Sequence, residues 1–105
     1  MKKIGLSFGD VLQALCDGKL VRREVWPLNV CVVKQIDSDI SADIVPKMQS
    51  LPNDAKTFVK ESTEGAIYYR SQCLKLKAYP DGGIVATTYI PDWLDMFAND
   101  WMVVE

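Results

Sequence analysis

The chain contains no histidine. That removes the commonest general base and the commonest metal ligand. It also removes every Ser-His and Cys-His nucleophile pair. Carboxylate or lysine chemistry survives in principle, yet the composition leans away from an enzyme, and no catalytic residue and no metal site is expected. Cysteine is scarce as well: Cys16, Cys31 and Cys73 are widely spaced and odd in number. Three such residues fit buried, reduced thiols better than a disulfide framework or a zinc site. No apolar run approaches the ~20 residues of a membrane helix. The few apolar residues after Lys2 and Lys3 are too short for a signal-peptide core. A cytoplasmic location, with no membrane partner, is the expectation. A concentrated basic face is also missing. Twelve Lys and Arg stand against fourteen Asp and Glu, for a net charge of −2. Nucleic-acid affinity rests on phosphate neutralisation, so no DNA or RNA partner is expected. Phosphate loops, dinucleotide fingerprints, internal repeats and low-complexity tracts are absent from the sequence too.

What is present is a soluble, globular balance: 49% apolar and 25% charged residues over 105 positions, the length of one domain. Ser7 and Asp10 form a capping-box pattern. Apolar residues then recur at Phe8, Val11, Leu12, Leu15 and Cys16, a helical period. Gly18 supplies a left-handed stop, so a helix is predicted over 7–17. Lys19 to Trp26 reads as a strand with mixed faces, and Val30 to Ile36 as a second, well-buried strand that Asp37-Ser38-Asp39 ends. Pro46 interrupts the next stretch. Pro52 can open a helix, which is expected near 53–61 with Ala55, Phe58 and Val59 on one face. "ESTEG" is an exposed loop. The remainder predicts a β-meander of strands at 67–70, 73–79 and 84–89, the last two joined by "PDGG". A short helix capped by Asp92 and a terminal strand at 101–104 follow. The sum is one α+β domain over 1–105: an antiparallel sheet with about three short helices packed mainly on one side.

The chemistry-bearing feature is a set of aromatics beside charges. Trp26 follows Arg22 and Arg23; Tyr68 and Tyr69 precede Arg70; Tyr89 and Trp93 lie near Asp92 and Asp95; Trp101 follows Asp100. Such sets suit a nucleotide-like ligand, because a base stacks on an aromatic face, a carboxylate accepts ribose hydroxyls and Arg grips phosphate. They equally describe buried aromatics with a solvated charged rim. Trp101 reads as core, Trp93 as packing its helix onto the sheet, and Met48 and Met96 as core filler.

The order of the pieces resembles a known family. "SFGDVLQALCDGKLVRREVW" looks like its opening signature, "PKMQSLP" is similar to a central motif of some members, and "PDG", "YIP" and "DMFANDW" look like its closing signature. This is the Thoeris anti-defence two-like sponge family of phages, prophages and gut bacteria, and the match runs in order along nearly the whole chain. The resemblance implies a non-catalytic sponge without cofactors, working in the cytoplasm of a bacterial host. Thoeris defence uses a TIR-domain enzyme to convert NAD into a cyclic ADP-ribose isomer, and the sponge keeps that messenger from its effector. Members form homo-oligomers, typically tetramers, and some relatives hold cyclic oligonucleotides. Carried over position by position, Trp26 and Arg23 match the first signature, and Asp95, Asp100 and Trp101 match the last. Trp26 is expected to stack on adenine and Asp100 to hydrogen-bond ribose or base. Arg23 is expected to serve phosphate or to brace the site. Tyr89, where relatives usually carry Trp, and Asp95 complete the candidate set. Glu24-Val25 also departs from the Gly that many relatives place before the Trp. A protein-interaction module using exposed aromatics, and a small nucleotide-processing enzyme using the Asp residues, are the rival classes.

Overall fold

The computed structural model describes residues 3–104. Ser7 caps the first helix, α1 (Phe8–Cys16), through both halves of the expected box: its hydroxyl accepts from the Asp10 amide at 3.2 Å, and the Asp10 carboxylate accepts from the Ser7 amide at 3.1 Å. Gly18, at φ 80°, turns the chain out of the helix into β1 (Leu20–Arg23). The Pro27–Asn29 turn leads to β2 (Val30–Lys34). The chain then forms β3 (Ser38–Ile40), a short 3-10 turn (Val45–Lys47), α2 (Asn53–Lys60) and β4 (Ile67–Tyr69). The last third holds β5 (Cys73–Ala78), β6 (Ile84–Thr88), α3 (Trp93–Phe97) and β7 (Trp101–Val104).

These elements divide into two compact units. The first runs up to Gln35 and resumes at Gln72. Its five strands form one wholly antiparallel sheet in the order β6-β5-β2-β1-β7. Register places Val21 opposite both Val32 and Val103, and Arg23 opposite Trp101. Alternation then sends Val21, Val32, Trp101 and Val103 to one face. There they close on Leu6, Val11, Ala14 and Leu15 to form the core. α1 covers this face and α3 lies against α1, so both helices of the unit share one side, in line with the α+β expectation. Leu6 bridges to Trp101 along the outer edge of β7, so that edge is partly covered, while β6 is the other edge strand.

The second unit, Ile36–Ser71, is a β3–β4 pair, with Ser38 opposite Tyr69 and Ile40 opposite Ile67, together with the 3-10 turn and α2. Arg70 ties the pair, bonding Asp39 at 2.7 Å while its guanidinium lies over Tyr68. A cavity of about 400 Å³ opens among Val45, Pro46, Lys56, Lys60, Thr63 and Gly65.

Several expectations need correction. The strand at 67–70 does not join the meander: it pairs with β3, in the stretch expected only to end the preceding strand. β2 stops at Lys34, and Ile36 is exposed. Pro52 stands at the N-cap of α2 rather than inside it, and Phe58 is exposed. The buried stripe of α1 is Val11, Ala14 and Leu15; it is rotated from the expected one, so Leu12 is half-exposed and Cys16 exposed. The three cysteines are free, but Cys31 and Cys73 are only half-buried. Met48 and Met96 are half-buried rather than core. Trp101 is fully buried as expected, whereas Trp93 is 70% exposed and does not pack α3 onto the sheet.

Candidate functional site

The site residues meet at the end of the sheet where β1 stops and β7 begins. Arg23 is the last residue of β1 and shares the α1 side with Val21. Beyond it the chain turns tightly, with the Glu24 amide on the Asp100 carbonyl at 2.9 Å and the Trp26 amide on the Arg23 carbonyl at 3.1 Å. The turn brings Trp26 back over the sheet. On the other side Asp92 caps α3, accepting from the Asp95 amide at 2.8 Å. That cap orients a five-residue helix whose Asp95 points inward and is buried.

Arg23 holds the two acidic segments together. Its Nε reaches Asp100 Oδ1 at 2.9 Å and its Nη2 reaches Asp100 Oδ2 at 3.3 Å, a two-pronged grip. Its Nη1 reaches Asp95 Oδ1 at 3.3 Å. The second Asp95 oxygen accepts from the Tyr89 hydroxyl at 2.7 Å, and the Asp95 carbonyl accepts from Trp101 Nε1 at 2.9 Å. The aromatic side is equally connected. Trp26 stands edge-on to Trp101, with ring centroids 5.2 Å apart, and to Tyr89 at 5.9 Å. The Lys75 ammonium lies over the Trp26 ring, 5.5 Å from its centroid.

The electrostatics follow from these contacts. The grip of Asp100 raises the Arg23 pKa, and the same bond holds the Asp100 carboxyl below its usual range. Burial first, and then the bond to Asp95, pushes the Tyr89 phenol far up. Burial likewise raises the thiols of Cys31 and Cys73, the opposite of what an activated nucleophile needs.

All five candidate residues, Trp26, Arg23, Tyr89, Asp95 and Asp100, therefore fall in one cluster. The roles differ from a simple carry-over. Arg23 spends three N–H groups on carboxylates and so braces the site. Asp100 gives both oxygens to Arg23. Asp95 joins Arg23, Tyr89 and the α3 cap. Tyr68, Tyr69 and Arg70 belong to the other unit.

Two contributors were not among the candidate site residues. Arg22, buried on the opposite face of β1, donates from Nη2 to the Trp26 carbonyl and from Nη1 to Met102 Sδ at 3.6 Å, while its Nε has no partner. It positions the turn that carries Trp26. Lys75 stands in β5, in an alternating stretch whose lysines would ordinarily face solvent. Register instead places it opposite Val32, on the side of the sheet that carries Trp26. The alternation in "CLKLKA" held this signal, for it puts Lys75 and Lys77 together on whichever face Leu74 and Leu76 leave.

The fold and the cluster define a small α+β domain that holds an aromatic wall beside an internally paired Arg–Asp network. A family model for the Thoeris anti-defense 2-like domain matches residues 6–104. The chain belongs to this family, and membership supports a role in countering Thoeris defence. No curated protein matches the chain. No helix among the described residues is long and apolar enough to cross a membrane.

Proposed function

We propose that the protein is a non-catalytic sponge. It binds a cyclic ADP-ribose-type messenger in the cytoplasm of a bacterial host and so keeps Thoeris defence from its effector. The observation that carries this reading is the Trp26 wall with its flanking charges. The ring is held on edge by Trp101 and Tyr89, its carbonyl is held by Arg22, and a cation stands over it. An adenine can stack there in place of, or beside, the Lys75 ammonium.

The charges divide the work. One guanidinium and two carboxylates leave the Arg23–Asp95–Asp100 network with one net negative charge. That repels phosphate and favours hydroxyl or amine donors. Ribose and base edges therefore go to the carboxylates, and the pyrophosphate goes toward Lys75. Binding proceeds without turnover, because the chain has no histidine and its half-buried thiols are held protonated.

A scarce messenger requires roughly nanomolar binding, about −12 kcal/mol. At about −0.3 kcal/mol per atom, a ligand of roughly 35 heavy atoms must be almost fully enclosed. One subunit of this size offers too little wall, so the working form is a homo-oligomer, a tetramer in this reading, with clefts between subunits.

The test is incubation with the messenger, heat denaturation and chromatography. Unchanged messenger, released in proportion to protein, is expected. Loss that grows with time would reject the sponge. A thermal-shift panel that adds cyclic oligonucleotides separates messenger classes. The bound one raises stability by about 2.7 kcal/mol at a hundredfold excess over Kd. An interaction module is the second reading, favoured by the exposed aromatics of α3, and would respond to none of them.

A further inference from the structure

The second unit holds no residue of the Trp26 cluster, yet it carries a cavity of about 400 Å³. That volume is at the low end of the roughly 300–1,000 Å³ of small-molecule pockets. Its floor is apolar: Val45, 2% exposed, with Pro46 beside it. One wall is α2, which presents Lys56 and, one turn further on, Lys60. The other is the loop after α2, residues 62–65. Gly65 lets this loop close in. Its φ is 67°, its amide donates to Ser62 Oγ at 3.1 Å, and a Cβ added to it would stand 3.2 Å from the Ala42 Cβ.

The lining is rich in donors that nothing engages. Lys56 is half-buried and gives one N–H to the Pro46 carbonyl at 3.1 Å, which fixes its ammonium and leaves its other N–H groups open. Among the described residues, no carboxylate pairs with Lys56 or Lys60. The Thr57 and Ser62 hydroxyls donate to the Asn53 and Val59 carbonyls, whereas the Thr63 hydroxyl makes no such bond. The one carboxylate in the lining, Glu64, accepts from the Tyr68 hydroxyl. Two ammoniums against one carboxylate leave the lining with one net positive charge.

We propose that this cavity binds a small phosphate monoester, with its oxyanion among Lys56, Lys60 and Thr63 and its body against Val45 and Pro46. Open donors call for a group that only accepts. Two lysines on one wall and a hydroxyl on the other suit three oxygens arranged as a tetrahedron better than the two coplanar oxygens of a carboxylate. A phosphate monoester also carries about −1.5 to −2 charge at neutral pH, which two ammoniums match. A phosphodiester has a single charge and two free oxygens, and would leave donors open. The cavity shares no residue with the Trp26 cluster, so the proposal stands or falls independently of messenger binding.

The test is amide shifts of the isotope-labelled full chain, titrated with phenyl phosphate to about 10 mM, tenfold above a millimolar Kd. Saturating shifts at Val45, Thr63, Glu64 and Gly65 are expected. Inorganic phosphate, which has no body to lay on the floor, should bind more weakly, and dimethyl phosphate at least tenfold more weakly. Lys60→Gln, at an exposed position, should weaken phenyl phosphate about tenfold, the effect of one charge-assisted contact. Lys47→Gln removes the same charge from the 3-10 turn outside the lining and should weaken it by no more than about twofold. Shifts that never saturate, or that spread over every lysine, overturn the site. So does a Lys60→Gln protein that binds as the parent does, or a Lys47→Gln protein that loses as much as Lys60→Gln. Inorganic phosphate or dimethyl phosphate binding as tightly as phenyl phosphate overturns the monoester assignment.

Discussion

Trp26→Ala separates a binding wall from a packing residue. Full truncation of a buried Trp costs about 3–5 kcal/mol. Trp26 is only half-buried, and its main partners are two edge-on rings, each worth about 0.5–1.5 kcal/mol. The expected loss is thus about 2 kcal/mol. A domain of this size has roughly 5–15 kcal/mol to lose from, so the variant stays folded. The lost stack costs messenger binding about 1–3 kcal/mol, and each 1.4 kcal/mol is tenfold, so affinity falls about tenfold or more. Trp26→Phe keeps a smaller ring and should fall between. Urea unfolding followed by circular dichroism reads the first number, and titration calorimetry the second. If folded Trp26→Ala binds as tightly as the parent, the wall is not Trp26 and the site assignment fails. If Trp26→Ala unfolds while Trp26→Phe binds normally, the residue is an anchor and nothing more.

Lys75→Gln should barely alter stability, since an exposed cation–π contact contributes about 0.5–1 kcal/mol, yet it should weaken messenger binding and flatten its salt dependence; calorimetry at two salt concentrations checks both. Asp100 has a depressed folded-state pKa, so its contribution is present above the unfolded carboxylate value and is lost as pH falls through the folded one; acid unfolding that begins below about pH 4 should be blunted in Asp100→Asn. Tyr89 has a raised pKa, so its phenol should stay protonated through about pH 10 while the protein is folded, and Tyr89→Phe should take one phenol out of the late part of an absorbance titration, to which Tyr68, also raised, contributes. A gel shift with DNA or RNA at about 100 mM salt should stay blank at micromolar protein, given the net charge of −2.

What the sequence displayed was local. The Ser7–Asp10 box, the Gly18 stop, the "PDGG" hairpin and the Asp92 cap each involve residues a few positions apart, and each stands in the fold as expected. β3 escaped, and with it the partner of β4, because a three-residue strand has no period to read and only the pairing across α2 defines it. The orientation of Trp93 escaped for a similar reason: five residues make little more than one turn, too few to set an apolar face. The site was legible in its members but not in its wiring. Family resemblance supplied Trp26, Arg23, Tyr89, Asp95 and Asp100, whereas the Arg23 contacts span 72 and 77 positions and depend on the β1–β7 register. Of two adjacent arginines, strand alternation sends one to each face, so the pair "RR" divides into Arg23, which holds the carboxylates, and Arg22, which holds the Trp26 carbonyl.

That division says where affinity must come from. A ligand phosphate placed on Arg23 would have to displace a two-pronged carboxylate at 2.9 Å and leave Asp100 unpaired. Leaving a partly buried charge without its partner costs more than a new contact of the same kind returns. The network is therefore a frame: it fixes the start of β7, the inner face of α3 and the Tyr89 ring at once. The surfaces it leaves for a ligand are the Trp26 face, the Lys75 ammonium, the remaining acceptor lone pairs of the two carboxylates and, in the proposed oligomer, whatever a neighbouring copy presents. Rigid framing lowers the ordering cost of binding, which matters most for the proposed sponge, whose task would be to hold. Arg23→Lys discriminates the frame from a direct phosphate contact. Lysine keeps the charge but cannot span Asp95 and Asp100 together. If Arg23 is a frame, Arg23→Lys should lower thermal stability and messenger affinity in parallel, with the salt dependence of binding unchanged. A variant of parental stability that loses affinity along with its salt dependence would show that Arg23 contacts phosphate after all.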